Sequence, residues 1–179
     1  DSTYRYLYSL RGILHAAYLR RSGDPNYARR ISNANLEICQ DFGWQDDVSC
    51  CHRVLGDLDA DARAHDSART HYDQAVALAR KIDVIYVRIE ALHGRGLWYA
   101  KHQKDAPAAF NDLNEALDYA VRGEYRIYEA DIRNALAWAH LANGDADQAR
   151  REAESAQAMS AQMGYHWGKV DADEVLARL

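Results

Sequence analysis

Proline, phenylalanine and cysteine are scarce in this chain: two, two and three among 179 residues. A sheet protein would want more Val, Ile, Thr and Phe, whereas abundant Ala, Leu, Arg, Asp and Glu suit helices. The chain therefore reads as all-α. Cys39, Cys50 and Cys51 are odd in number, two of them adjacent, with no C-x-x-C pair, so neither a disulfide framework nor a zinc knuckle is written here. That usage fits a reducing, cytoplasmic setting. No apolar run approaches the roughly 18 residues that a membrane span needs. Basic residues are not in excess either: 22 Lys and Arg face 27 Asp and Glu, a net charge of -5, which argues against nucleic-acid or anionic-membrane partners.

Catalytic patterns are missing as well. "GRG" at Gly94 to Gly96 lacks the lysine and the preceding strand of a phosphate loop. Cys50, Cys51 and His52 are consecutive, and consecutive helical side chains point about 100° apart, so they cannot converge on one ion. No nucleophile elbow or Cys-His-Asn constellation is visible. The expectation is a non-enzyme with no cofactor, no metal and three cysteines buried as small hydrophobes. The chain opens at Asp1 rather than on methionine, and is expected to be a piece of a larger protein.

What is present is repetition. "GDPNYARR" begins at Gly23 and "GDADQARR" at Gly144. Anchored on Ala28 and Ala149, intermediate copies appear at Ala68 and Ala109, so the anchors stand 40, 41 and 40 residues apart. Asp24, Asp105 and Asp145 each precede their alanine by four, where a carboxylate caps a starting helix; Ala64 stands there in the second unit. Pro25 and Pro107 fall in the first turn of this helix, where a missing N–H costs nothing. Eleven residues after each anchor stands a small residue, Cys39, Ala79, Ala120 or Ser160, and Gly43, Gly123 and Gly164 are expected as left-handed terminators. Upstream, Ala16, Gly56, Gly96 and Ala137 sit 12 or 13 positions before the anchors. These small residues mark the positions where two helices cross most closely.

Each unit reads as helix, turn, helix. First helices are expected over roughly 3–21, 45–61, 84–102 and 125–142, and second helices over roughly 25–41, 65–82, 106–122 and 146–162. The units run about 3–43, 44–83, 84–123 and 124–164, with a terminal helix over 165–179. A lone helical hairpin cannot bury its apolar stripe, whereas stacked copies bury one another's.

"LGDLDADARAHDSARTHYDQAVAL", around Leu55, Gly56, Ala68, Tyr72 and Ala75, and "LAWAHLANGDADQARREAESA", around Leu136, Ala137, Gly144, Ala149, Ala153 and Ala156, resemble tetratricopeptide repeats. The resemblance covers nearly the whole chain. Its period exceeds the usual 34 residues, and this longer form resembles the C-terminal sensor arms of bacterial STAND ATPases of the NACHT, NB-ARC and maltose-activator types. The stretch from Glu129 to Leu179 looks especially like their closing segments. The resemblance implies a right-handed α-solenoid that binds a protein, peptide or small inducer on its concave face.

In such arrays the first helices line the groove. That places Ile13, Arg53, His93 and Asn134 in one row, Leu10, Cys50, Glu90 and Asp131 in a second, and Ala17, Asp57, Leu97 and Trp138 in a third. The expected contacts are Arg53, Asp57, Glu90, His93, Asp131, Asn134 and Trp138. Asn can both donate to and accept from a peptide backbone, and Trp adds apolar contact with an N–H. The alternative reading is a solvated polar face with one Trp packed between repeats. Tyr4, Tyr6, Tyr8 and Tyr18 make the first helix an aromatic surface, suited to a preceding repeat or to self-association. The reading reached is a sensing module of a signalling or defence protein. Its rival is a passive scaffold that docks a protease or complex partner.

Overall fold

The computed structural model describes residues 8–179. Among these residues there are nine α-helices, one π-helical segment and no strand. The helices are α1 (Ser9–Ser22), α2 (Pro25–Asp41), α3 (Gln45–Asp61), α4 (His65–Ala79), α5 (Ile85–Trp98), α6 (Ala106–Arg122), α7 (Arg126–Ala142), α8 (Ala146–Met163) and α9 (His166–Leu176). Tyr99–Gln103 forms the π segment directly after α5. Tyr4 and Tyr6 lie outside the described residues.

Contacts gather the chain into two compact units, one ending at Ala91 and the other running Leu92–Leu179. In the first, α1 packs on α2 and α3, α2 on α3, and α3 on α4. In the second, α6 packs on α7, α7 on α8, and α9 on both α7 and α8, while the π segment touches α6 and α7.

One turn is used again and again. A single left-handed residue follows seven of the helical segments, at 23, 43 and 63 in the first unit and at 104, 124, 144 and 164 in the second, so that within each unit these residues stand 20 apart; α4 and α9 end on right-handed residues. In six of these turns the next residue donates its N–H to the carbonyl five positions back: Asp24 to Leu19, Trp44 to Cys39, Ala64 to Asp59, Tyr125 to Ala120, Asp145 to His140 and Tyr165 to Ser160, all at 2.8 to 2.9 Å. That bond satisfies a carbonyl the finished helix leaves free. The same residue then becomes the N-cap of the following helix, with no loop between. Asp24, Asp105 and Asp145 complete the junction by accepting N–H bonds from Tyr27, Ala108 and Gln148.

Three expectations are corrected. Gly123 is not left-handed (φ −90°); Glu124 takes that conformation at φ 57°, and Tyr125 packs its ring over Gly123 where a Cβ would stand. Arg63 and Lys104 likewise adopt positive φ without being glycine, because the tight turn demands it whatever the side chain. The second helix of the second repeat, α4, stops at Ala79 rather than near 82. The helix expected over 84–102 is α-helical only to Trp98 and then widens into the π segment, with Asp105 N–H reaching the Tyr99 carbonyl six residues back. That widening absorbs the one extra residue between Ala68 and Ala109, since Gly96 stands 13 positions before its anchor where the other small residues stand 12.

Ala16, Ala28, Ala68, Ala109, Ala137 and Ala149 are fully buried, as are Gly56 and Gly96. A Cβ on Gly96 would stand 2.6 Å from Leu113 Cγ, and one on Gly56 2.9 Å from the Tyr72 ring. Leu113 is itself fully buried and has nowhere to retreat. Gly96→Ala is therefore expected to cost about 1–3 kcal/mol. Gly144→Ala, in open space but at φ +79°, is expected to cost about 1 kcal/mol through backbone strain alone. Urea unfolding of both variants checks the two mechanisms; equal stability to the parent would contradict them.

Candidate functional site

The expected contact residues fall into one group in the first unit and two in the second. In the first unit Arg53, Asp57 and Glu90 come together. Arg53 and Asp57 are one turn apart on α3 and pair at 2.9 Å, while the second Arg53 nitrogen faces Glu90 of α5 at 3.4 Å. Tyr72 of α4 donates its hydroxyl to the other Asp57 oxygen at 2.8 Å. From α1, Arg20 reaches Asp57 at 3.4 Å and grips Asp61 with two bonds of 2.6 and 3.0 Å. The result is a chain of alternating charge that links α1, α3 and α5 through side chains alone.

Burial alone would raise the Asp57 pKa, but Arg20 and Arg53 beside it, with Tyr72 donating, hold it below the usual carboxylate range. The guanidiniums of Arg20 and Arg53 respond in kind: burial works against their charge, and the carboxylates more than restore it. Burial, followed by the charge of Asp57, pushes the Tyr72 phenol up, so it stays a donor. Arg53 Nε is buried without a hydrogen-bond partner.

A second titratable cluster lies between α3 and α4. His52 and His71 face each other with Nδ1 atoms 2.9 Å apart. Asp59 sits 3.8 Å from His71 Nε2, pairs with Arg29 at 2.7 Å and accepts from the Ser67 hydroxyl. Burial, then the neighbouring His71, lowers the His52 pKa to about 4. His71 is lowered too, chiefly by burial, with Asp59 opposing and Arg29 assisting.

In the second unit Asp131, Asn134 and Trp138 share one face of α7, but they do different work. Asp131 accepts from the Tyr165 hydroxyl at 3.2 Å, and Asn134 donates to the Gly168 carbonyl at 2.9 Å, so both join α7 to α9. Asn134 is only 4% exposed and its Oδ1 is buried without a partner. Trp138, 8% exposed, lies beneath Lys101 and Lys104, whose ammonium groups are 4.7 and 5.9 Å from the ring centroid. Lys101 is held over the ring by Glu174 of α9 at 2.8 and 2.9 Å. The π segment and the turn after it thus supply both cations. His93 is half-buried on α5. Nearby on α5, Arg95 grips the buried Asp112 of α6 with two bonds of 2.7 and 3.0 Å.

Several contributors escaped the sequence reading. Arg20, Asp61, Lys101 and Lys104 all belong to the clusters above. Trp44, Tyr125 and Tyr165 recur 16 residues after an anchor alanine and start α3, α7 and α9. That spacing was a signal available in the letters. The three cysteines are free and buried. Among the described residues no group of three or more His, Cys, Asp or Glu could hold a metal ion, and no helix is long and apolar enough to cross a membrane. No family model and no curated protein matches this chain.

The His52–His71 pair sets a pH dependence. With a folded pKa of about 4 against an ordinary 6.5, His52 binds protons more readily unfolded than folded between those values. Its stabilising share is complete above pH 6.5 and is lost as pH falls toward 4. Unfolding free energy is expected to drop by about 1–2 kcal/mol between pH 7 and pH 5, allowing for solvent screening. His52→Gln should flatten that slope in urea titrations; an unchanged slope would contradict the assignment.

Proposed function

We infer that the chain is a non-catalytic binding module: a tetratricopeptide-like, right-handed α-solenoid of antiparallel helix hairpins, and part of a larger cytoplasmic signalling or defence protein of the STAND ATPase kind. The supporting observation is the recurring turn, one left-handed residue every 20 positions within each unit, each followed directly by the cap of the next helix. Such a metre produces near-equivalent two-helix bricks, and a run of bricks offers an extended face rather than a single cleft.

The ligand on this reading is a protein, peptide segment or small inducer. Arg53, Asp57 and Glu90 in one unit, and His93, Asp131, Asn134 and Trp138 in the other, would meet it. Binding would shift conformation only by its differential affinity for the states available. A passive docking arm is the second reading. One observation favours it: the charges of Arg53, Asp57 and Glu90 are already satisfied by one another, which suits a structural ladder.

Panning a random peptide library on the immobilised protein tests the reading. Enriched peptides are expected, with Trp138→Ala weakening them about tenfold or more while circular dichroism keeps its helical signal. Absence of any enriched peptide, or equal binding by the variant, would contradict it.

A further inference from the structure

Aligned on the small residues Ala16, Gly56, Gly96 and Ala137, the first helices of the four repeats share one stripe: the positions five and two before the small residue and two after it. In α3 these are Cys51, Val54 and Leu58, at most 2% exposed. In α5 they are Ala91, Gly94 and Trp98, and in α7 Ile132, Ala135 and Ala139, all buried. In α1 the stripe lies open: Arg11 is exposed, and Leu14 and Tyr18 are 57% and 58% exposed. One repeat position is thus core in three helices and surface in the fourth.

The first unit shows what covers such a stripe. On α3 it is continued by Asp47 before and Asp61 after, so that 47, 51, 54, 58 and 61 alternate spacings of four and three along one helical face. Its polar partners come from the hairpin that precedes it. The Ser9 hydroxyl, at the start of α1, donates to Asp47, the Asn35 amide nitrogen of α2 lies 3.4 Å from Cys51 Sγ, and Arg20 of α1 grips Asp61 at 2.6 and 3.0 Å. One repeat earlier the chemistry is reversed. Arg11 stands where Cys51 meets the Asn35 amide, and Arg21 stands where Asp61 meets Arg20. The sequence of α1 holds three arginines and a histidine and no carboxylate.

We propose that the Leu14 and Tyr18 face of α1 seats a helical-hairpin partner in the way α3 seats α1 and α2, and that this partner carries carboxylates where α1 and α2 carry Arg20 and Asn35. The inference does not depend on the ligand contacts named above. Leu14 and Tyr18 supply the apolar middle of the interface, and Arg11 and Arg21 its charged rim. The sign of that rim selects the occupant. A second copy meeting this face with its own α1 would set arginine against arginine, a juxtaposition that suppresses wrong partners, whereas an acidic hairpin is complementary.

The probe is a designed two-helix peptide with a stripe of Ala and Leu flanked by glutamates at the two matching places, compared with a twin that has lysines there. Calorimetry reads binding, and sedimentation reads the mass of the free protein. Expected are a monomeric parent and a glutamate peptide bound at least about tenfold more tightly than its twin. Leu14→Asp and Tyr18→Asp should each weaken binding about tenfold or more while circular dichroism keeps its helical signal. The chain as a whole carries a charge of -5, so general attraction would favour the lysine twin and cannot give this order. Arg11→Glu combined with Arg21→Glu should invert the preference. Val121→Asp, at an apolar residue of α6 that is 50% exposed, should leave binding unchanged. Binding of neither peptide, equal binding of both, a loss in Val121→Asp as large as in Leu14→Asp, or a parent dimer that Tyr18→Asp dissolves would overturn the proposal.

Discussion

The left-handed residue that separates most successive helices is the constraint from which the rest follows. Because the residue after it both closes one helix and caps the next, these junctions leave no loop in which length could vary, whereas residues 80–84 join α4 to α5 without such a turn. Between two such junctions helix length is thereby fixed at about four to five turns, and a residue added there must be absorbed inside a helix. The π segment at Tyr99–Gln103 is where that happens. The turn is strict enough that Arg63, Lys104 and Glu124 accept positive φ, a conformation that costs a non-glycine residue roughly 1–2 kcal/mol.

Fixed helix length places small residues where neighbouring helices cross most closely. Gly56 against Tyr72 and Gly96 against Leu113 leave no room for a methyl group. Helices brought that close can be joined by short polar bonds, and the structure uses them between helices two apart in sequence: Arg20 to Asp61, Arg53 to Glu90, Asn134 to Gly168. Of these, Arg53–Glu90 is a largely buried ion pair, where removing one partner leaves an uncompensated charge; Arg20–Asp61 is exposed and contributes little, and Asn134–Gly168 is a neutral hydrogen bond. Where the sequence reading saw a row of possible ligand contacts, the geometry shows side chains that also serve as ties between neighbouring helices.

Much of the architecture was legible in the letters because it is local. Asp24, Asp105 and Asp145 declare three N-caps by chemistry that involves only residues three positions on. The anchor alanines declare a period by repetition. The π segment was half-legible, as an interval of 41 among intervals of 40, but the letters do not say whether an extra residue enters a turn or a helix. What the sequence could not show were partners set by tertiary packing. Nothing near Asn35 predicts that its amide will clasp Ser9 and two thiols, and nothing near Trp138 predicts Lys101 and Lys104 above it. Gly123 was misread because glycine is the commonest left-handed terminator, whereas here the close approach of Tyr125 selects it.

Deletion of a single residue tests the register directly. Removing Gln103, an exposed residue of the π segment, should restore the 40-residue interval, convert the π turn to α-helix and leave cooperative unfolding with a thermal midpoint near that of the parent. Removing one residue from the middle of α7, such as Arg133, should abolish cooperative unfolding, since no slack exists there. If both deletions prove equally damaging, the 20-residue metre is not what organises the chain.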